Sequence, residues 1–478
     1  MRSFCFLLAA IGFAALPTGA GEIHLSAASS APRYFATPDG KGWIPVGMNI
    51  CFDRLYLDGT NETRAACEER FFGRMRKFAA NGGNFIRFWL GHPFFEVMPE
   101  RAGEYDAAAA ETLVRAVRLA EELGIRLKFT LEVFRRTQPL APGEKYPPAF
   151  VRTLYRPYAK DMKAFFASDE CFRIYLDRAR YLQSLGLGES PSVVCIELWN
   201  EINATAPLES YATWSDRMIA ALQEVFPRQM IVQNLGSYSD PFAYRQYEQL
   251  GEARGNAFLQ VHRYLDPGAQ IDVCRGPMDV LAAQAVRDLW NVGRPQPIVL
   301  AEVGAVQANH AGPSSLYEKD RTGALLHDAL FAAFFAGAAG CGQFWHWDHQ
   351  YVDRWNLWWH FARFAEAIKG LDPVAERFRP FYTETAHLRI YGLRGAETTV
   401  AWCRDKRSDW RSELEEGRAA ERLERESFPV SGVSLDCYLP WEDRHVSSPA
   451  PSLPSFTRSV VVRFPTKVPH APSAVIPH

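Results

Sequence analysis

Two glutamates, Glu201 and Glu302, each lie near the end of an apolar run that predicts a β-strand. Glu201 closes the segment 193–201, and Glu302 lies within the segment 297–304. Two carboxyl groups at one edge of a sheet can cleave a glycosidic bond with retention, because one protonates the leaving oxygen while the other attacks the sugar carbon. A charged carboxylate raises the pKa of its neighbour. We therefore expect Glu201 to carry the proton and Glu302 to be the ionised nucleophile.

Four further polar residues fall on predicted strands near the same edge. Arg87 could hold a carboxylate ionised, although an ion pair with Glu197 in the floor of the sheet is an open alternative. Asn200 is placed to hydrogen-bond a sugar 2-hydroxyl, a contact that strengthens in the transition state. His262 and Tyr264 are two positions apart on one strand, so their side chains point to the same face. We predict that Arg87, Asn200, His262 and Tyr264 bind substrate or orient the carboxylates.

Trp345 and Trp347 are also two positions apart, at the end of another predicted strand. Tryptophan stacks well on the apolar face of a sugar ring, and the chain has 13 of them. Core packing is the alternative role for such a pair. We predict that both tryptophans form a stacking floor for substrate.

The bulk composition restricts the class of partner. The chain has 478 residues and a formal net charge of −2. A nearly neutral protein lacks the electrostatic attraction that nucleic acids or anionic membrane surfaces require of a main partner. We expect a neutral carbohydrate as substrate, with no nucleic-acid partner and no stable membrane insertion. The sequence indicates no oligomeric state.

Strand-like and helix-like segments alternate between about residues 42 and 369. The predicted strands are 43–49, 84–89, 125–132, 193–201, 230–234, 258–264, 297–303 and 342–347. Such alternation predicts a parallel sheet. Eight units without a glycine-rich phosphate motif after the first strand favour a closed (β/α)8 TIM barrel, with an open doubly wound sheet as the alternative. Catalytic residues of such barrels lie at the C-terminal ends of the strands, where both glutamates fall.

Beyond residue 379 the helical period gives way to short alternating segments, which predict a small antiparallel β-sandwich-like domain. We therefore divide the chain into a signal peptide, 1–20, a catalytic barrel, 21–378, and a β domain with an irregular C-terminal tail, 379–478. Both a structural role and sugar binding are open for this domain.

The N-terminus has the pattern of a secretory signal. Met1 and Arg2 precede an apolar run, 4–16, which is followed by small residues as far as Ala20. The run is too short to span a bilayer, and we predict cleavage near Ala20 and a secreted or periplasmic protein. Sequons at Asn61 and Asn203 matter only in a glycosylating host.

Export would permit disulfide bonds. Cys51 with Cys67, or Cys403 with Cys437, are candidate pairs, because spacing alone does not give connectivity. Cysteines within apolar strand runs, such as Cys195, are predicted to be buried thiols. No cysteine or histidine spacing indicates a metal site, and we predict neither a metal nor a cofactor.

The ordered set of polar residues resembles the clan A retaining glycoside hydrolases, most closely family 5 of the cellulase and mannanase type. The resemblance covers about residues 42–369 and rests on Arg87, 197–201, 262–264, 302–304 and 344–345. It implies Glu201 as acid/base, Glu302 as nucleophile, and a substrate shell of Arg87, Asn200, His262, Tyr264 and Trp345. Two positions depart from the family pattern: Ile202 stands where proline is common, and the segment 129–132 lacks a histidine.

The predicted function is a secreted retaining glycoside hydrolase of β-linked polysaccharide or oligosaccharide. An endo-β-1,4-mannanase or endo-β-1,4-glucanase is the first expectation. An exo-acting β-mannosidase or β-galactosidase on the same barrel is one alternative. A catalytically silent carbohydrate-binding protein is the other.

Overall fold

The structure, a computed structural model, describes residues 25–56, 62–133 and 154–466. The predicted signal segment 1–20 and the sequon at Asn61 lie outside the described residues. None of the helices in the described ranges is both long and apolar enough to cross a membrane.

Parallel strands form the centre of the fold, behind a small antiparallel sheet of β1 (Ser26–Ala28), β2 (Ala31–Ala36) and β3 (Gly42–Trp43). The parallel strands are β4 (Gly47–Met48), β5 (Phe85–Trp89), β6 (Arg126–Glu132), β7 (Val193–Trp199), β8 (Met230–Val232), β9 (Leu259–Leu265) and β10 (Ile298–Ala305). Strands β4 to β8 pair in chain order, and β9 pairs with β10. The predicted strand 43–49 is divided between β3 and β4, with Pro45, which has no backbone N–H to donate to a ladder, between them.

The predicted eighth strand, 342–347, forms hydrogen bonds with β10 on one side and with the residue that follows β4 on the other. Phe344 bridges Met48 of β4 on one side and Val303 of β10 on the other, both in the parallel sense. The chain then turns, because the Trp347 N–H donates to the Trp345 carbonyl at 3.1 Å instead of to a neighbouring strand. The segment therefore follows the course of an eighth strand as far as Trp345, whose N–H donates to the Val303 carbonyl at 2.9 Å, and leaves the ladder after that residue.

Ten helices are seen in the described ranges, and most connect consecutive parallel strands. They are α1 (Arg64–Ala80), α2 (Ala107–Glu122), α3 (Met162–Ala167), α4 (Asp169–Ser184), α5 (Leu208–Val225), α6 (Ala243–Glu252), α7 (Met278–Asn291), α8 (Ala324–Phe335), α9 (Trp359–Ile368) and α10 (Pro373–Glu376). Side chains at the N-caps fix where several begin: Thr63 accepts a hydrogen bond from the Ala66 N–H in α1, and Asp106 accepts one from the Ala109 N–H in α2.

An antiparallel sheet follows the helices, as predicted. It comprises β11 (Arg379–Glu384), β12 (Leu388–Arg394), β13 (Thr398–Asp405), β15 (Ser434–Leu439), β16 (Arg444–Pro449) and β18 (Ser459–Pro465), and a ribbon of β14 (Arg422–Leu423) and β17 (Phe456–Thr457) lies beside it. One face joins the core of the parallel strands and their helices through residues such as Trp402, and the other forms a separate apolar cluster with ribbon residues such as Phe456. A sandwich of two full sheets stays a prediction.

The predicted disulfides are wrong for the described residues, where all eight cysteines are free and buried. Cys403 on β13 and Cys437 on β15 are separated by β18, because each pairs with a different residue of that strand. Two strand spacings, about 9–10 Å, exceed the reach of a disulfide. The thiols of Cys51 and Cys67 contact Asn49 and Arg70 instead of each other.

Two buried ion pairs attach the antiparallel sheet to helices α7 and α8. Arg404 of β13 forms two hydrogen bonds with Asp328 of α8, at 2.7 and 3.0 Å. Arg389 of β12 likewise binds Asp279 of α7, at 2.6 and 3.0 Å. All four side chains are buried. Removal of one member of a pair would therefore leave the other as a buried charge with neither a counter-charge nor water around it.

Replacing Arg404 with methionine is expected to destabilise the protein by about 3–5 kcal/mol, because it leaves Asp328 as an unpaired buried charge. The free energy of unfolding in urea measures this loss. Arg418→Met is the matched control, since the Arg418 pair with Glu416 is mostly exposed and such pairs contribute little. Equal unfolding midpoints for the two variants would contradict the structural role of the Arg404 pair.

Candidate active site

A cavity of about 530 Å³ opens at the C-terminal ends of the parallel strands. Glu201 and Glu302 both line it, together with Asn200 and Tyr264. The remaining lining residues are Arg54, Trp89, Asn203, Ala204, Gly236, Ser237, Ser239, Val306, His310, Gly312, Pro313, Trp345, His346 and Gln350. The predicted glutamate pair therefore shares one cavity, at the end of the sheet where it was expected.

Glu201 stands just beyond β7, where the backbone takes an unusual conformation. Its φ of 50° and ψ of 54° are left-handed, a region that costs a non-glycine residue about 1–3 kcal/mol. The Glu201 N–H donates to the Asn234 Oδ1 atom at 2.7 Å, which holds the turn from the neighbouring strand end. The side chain is 17% exposed and reaches the His262 Nδ1 atom at 2.8 Å. Burial, with the Glu302 charge second, raises the pKa of Glu201 well above its usual range.

Glu302 lies within β10 at a β-bulge. Leu300 pairs with Val261 and Glu302 with His262, so Ala301 is the extra residue of the bulged strand. The Tyr264 hydroxyl donates to Glu302 Oε2 at 2.5 Å, and Arg87 donates to Oε1. Burial leaves the pKa of Glu302 above its usual value, although the Arg87 charge and the Tyr264 hydroxyl offset part of this rise. Glu302 is therefore the first of the two glutamates to ionise.

Arg87 joins Glu302 to a second buried carboxylate, Glu197. It donates to Glu197 Oε1 from Nε at 3.1 Å, to the Thr130 hydroxyl at 2.9 Å and to the Asn200 amide oxygen at 2.7 Å. The ion pair with Glu197, left open as an alternative, coexists with the contact to Glu302. The guanidinium thus binds both carboxylates at once.

Lys128 completes the network below the cavity. Its ammonium lies 2.9 Å from Glu197 Oε2 and donates to Gln260 at 2.6 Å, and the Gln260 amide donates to the same Glu197 oxygen at 2.8 Å. Burial alone would raise the pKa of Glu197, but Arg87 and Lys128 together lower it to about 2. Glu197 is therefore a permanent anion that orients Arg87.

Hydrogen bonding assigns the tautomer of His262. Asn234 accepts from the backbone through Oδ1, so its amide group faces the His262 Nε2 atom, at 3.2 Å. A nitrogen that accepts from this amide leaves the proton on Nδ1, which then donates to Glu201. Burial lowers the pKa of His262 well below its usual range, so the imidazole stays neutral and orients Glu201 without adding charge.

The spacing of the two glutamates suits nucleophilic attack. One oxygen of Glu201 and one of Glu302 lie within 4.8 Å of each other, with a nitrogen of His262 inside the same limit. Direct attack with retention requires carboxyl groups about 5–5.5 Å apart, whereas inversion needs about 6.5–9.5 Å to admit water. These three residues could also ligate a cation, but Arg87 already supplies the positive charge beside Glu302.

The tryptophan pair is separated by the turn after Phe344. Trp345 lines the cavity beside Trp89, with ring centroids 4.8 Å apart. Trp347 is fully buried and packs edge-on behind Trp345, at 5.2 Å and 86°. The prediction that Trp347 forms part of a substrate floor is therefore wrong, because the two rings do not share a strand face. Arg87 and His262 are likewise fully buried, outside the cavity lining, and contact residues that line it, among them the glutamates.

Several residues of the site carried no recognisable sequence signal. Asn234 contacts both Glu201 and His262. In the sequence it is a single asparagine at the end of a predicted strand, and a polar residue after an apolar run is its only signal. Arg54, His310 and His346 come from loops whose approach to the cavity depends on the whole fold. Asn203 lies on the cavity wall with its amide bound to Gln246 at 3.2 Å.

Comparisons with known proteins show similarity to solved structures but not to family sequences. No protein-family model matches the sequence, and no curated protein matches it either. A glycoside hydrolase family 5 protein from Bacteroides vulgatus ATCC 8482 is similar with a TM-score of 0.56 and 12% identity, over 92% of this chain and 93% of that chain. The exo-beta-1,4-mannosidase Op5Man5 from Opitutaceae bacterium strain TAV5 has a TM-score of 0.48 and 21% identity, over 71% and 61% of the two chains. A family 5 mannosidase from Rhizomucor miehei has a TM-score of 0.48 and 16% identity, over 68% and 86%.

The Bacteroides structure is matched over nearly the whole of both chains, including the part of this chain beyond the parallel strands. At 12% identity the likeness is one of architecture alone. This chain has the fold of a glycoside hydrolase family 5 protein.

Proposed function

We propose that this protein is a retaining glycoside hydrolase that cleaves β-linked polysaccharide or oligosaccharide. The observation that carries the proposal is the pair of glutamates within 4.8 Å, of which one is paired with a guanidinium and the other with a neutral imidazole. The family 5 fold supports the same reaction class. An endo-β-1,4-mannanase or endo-β-1,4-glucanase is the first activity to test.

In the proposed reaction the two glutamates have different roles. Glu201, whose raised pKa keeps its proton, protonates the glycosidic oxygen while ionised Glu302 attacks the anomeric carbon and the leaving group departs. Glu201 then takes a proton from water, which attacks the same carbon and releases the sugar from Glu302. His262 orients Glu201, and Arg87 with Tyr264 stabilises the carboxylate that Glu302 regains.

We also propose that the parallel strands close into a (β/α)8 barrel. Phe344 supports closure on one side, because it bridges both β4 and β10. Two hydrogen bonds support it between β8 and β9: the Ala257 N–H donates to the Ile231 carbonyl at 3.0 Å, and the Tyr238 N–H donates to the His262 carbonyl at 2.9 Å.

Export to the periplasm or medium is a further part of the proposal. It is supported by the basic start and apolar run before Ala20. N-terminal sequencing of exported protein is expected to give a mature chain that starts near residue 21, and an intact Met1 on exported protein would contradict it.

The proposed reaction is tested on β-mannan, β-glucan, xylan and aryl β-glycosides, with Glu201→Gln and Glu302→Gln beside the parent. We expect Glu201→Gln to lower kcat on polysaccharide about 10²–10⁴-fold, because proton transfer is lost. On a dinitrophenyl glycoside it should release a rapid burst and then turn over slowly, since only the second step needs the base. Glu302→Gln should show neither burst nor turnover.

Glu209→Gln, a glutamate on α5, is the matched control and should keep full activity. Retained hydrolysis by Glu302→Gln on every substrate would eliminate the two-glutamate mechanism. Release of single sugars from an oligosaccharide would indicate exo action, and α-configured first products would indicate inversion instead of retention.

Tyr264→Phe is expected to shift the acid limb of the kcat/KM profile to higher pH. The lost hydroxyl lowers the pKa of Glu302 in the parent, so its removal raises that pKa and the nucleophile ionises later. A hydrogen bond with a net worth of about 1 kcal/mol corresponds to a shift of about 0.5–1 pH unit. The alkaline limb, which reports loss of the Glu201 proton, should move less. An acid limb that stays in place or moves to lower pH would contradict this assignment.

A further inference from the structure

The loop that follows β10 contains two consecutive residues with left-handed backbone. Asn309 and His310 both have a φ of 58°. Each such non-glycine residue costs about 1–3 kcal/mol and persists only where the surrounding structure over-determines it. Because this loop also supplies His310 to the cavity beside Glu302, the strain lies at the site and invites a functional explanation.

Asp266, which directly follows β9, anchors the strained loop. Its Oδ1 atom accepts hydrogen bonds from the Asn309 N–H at 3.0 Å and from the Gly268 N–H at 2.7 Å. Its Oδ2 atom lies 3.5 Å from His310 Nε2. Gly268 leaves no room for adjustment, since a Cβ there would lie 2.5 Å from the Asn309 side-chain oxygen. One buried carboxylate thus fixes both the backbone and the ring of the loop.

The anchored loop sets His310 against the residue that holds the nucleophile. The imidazole packs edge-on against Tyr264, with ring centroids 5.0 Å apart at 81°, and the Tyr264 hydroxyl bonds Glu302. The His310 side chain is 39% exposed, and its Nδ1 atom has no hydrogen-bond partner among the described residues. Burial lowers the pKa of His310, so the ring is neutral near pH 7 and suited to a hydroxyl group.

We propose that His310 is a substrate-binding residue, whose Nδ1 atom accepts a hydrogen bond from a hydroxyl of the sugar unit that is transferred to Glu302. The proposal rests on the proposed glycoside hydrolase function and adds a determinant of which sugar is accepted. The position of His310 on Tyr264, beside the nucleophile, assigns it to that sugar unit and not to the leaving group. Asp266 is a positioning residue that acts through the loop.

The test compares the parent with His310→Ala on aryl β-glycosides that differ from one another at single hydroxyl groups. We expect kcat/KM on the preferred glycoside to fall about tenfold, the worth of one good hydrogen bond. On the glycoside that lacks or inverts the contacted hydroxyl, kcat/KM should stay the same. The ratio of kcat/KM for the preferred glycoside to kcat/KM for the other glycoside should therefore fall about tenfold. A purely structural role for His310 would lower both values and leave this ratio unchanged.

Variants of Asp266 distinguish its effect on the position of the loop from the direct contact that His310 makes with substrate. Asp266→Ala should narrow discrimination as His310→Ala does, whereas Asp266→Asn keeps an acceptor for the Asn309 N–H and should retain most of it. His349→Ala is the matched control, because His349 is a half-exposed histidine outside the cavity lining. Melting temperatures establish that each variant is folded. If His310→Ala does not fold, His310→Phe replaces it, because it keeps a ring against Tyr264 but has no acceptor.

Two results would overturn the proposal, and they are distinguishable. An active parent whose His310→Ala variant keeps every kcat/KM within twofold would remove His310 from substrate recognition and leave the proposed function intact. A folded parent that hydrolyses no β-glycan or aryl β-glycoside would remove the proposed function, and this inference with it.

Discussion

The buried chain of charges from Lys128 through Glu197 and Arg87 to Glu302 is the constraint on which the candidate active site depends. All four side chains are almost fully removed from solvent. Two cations balance two anions, and a missing member would leave an uncompensated buried charge at a cost of several kcal/mol. The four residues come from β6, β7, β5 and β10. The position of Glu302 is therefore set by three other strands, and the sheet must assemble correctly for the charges to pair.

The same network makes two chemically identical side chains different. Glu302 receives a full positive charge and a phenol, while Glu201 receives a neutral imidazole and the repulsion of Glu302. The backbone also directs the two side chains. Glu302 follows a β-bulge in its strand, and the backbone of Glu201 is itself left-handed. Such local departures from regular geometry cost free energy that the packed strands around them must offset. Strain and charge separation thus lie at the same two residues.

The sequence predicts the regular part of this arrangement and misses its irregular part. Apolar runs that end in Glu201 and Glu302 were sufficient to place both at one sheet edge, because side-chain alternation and strand polarity are local properties. The turn at Trp345 is closed by a hydrogen bond from the Trp347 N–H to the Trp345 carbonyl. Burial of Trp347 depends on packing against distant residues such as Phe52, which no local sequence pattern predicts. Cys403 and Cys437 are far apart because β18 lies between their strands, β13 and β15. The spacing of cysteines along the sequence does not encode this strand order. The role of Asn234 likewise arises only when neighbouring strand ends meet.

Helix α8 links the C-terminal antiparallel sheet to the parallel strands. All twelve residues of this helix are buried, which is the pattern of a helix covered on every side. It packs on β10, the strand of Glu302, and on β12 and β13 of the antiparallel sheet. Without that sheet, apolar side chains such as Phe331, which contacts Trp402, would face water, and Asp328 would lose its guanidinium. The residues beyond 379 therefore complete the core behind β10, the strand of Glu302, so a structural role accounts for this sheet without any contact to sugar.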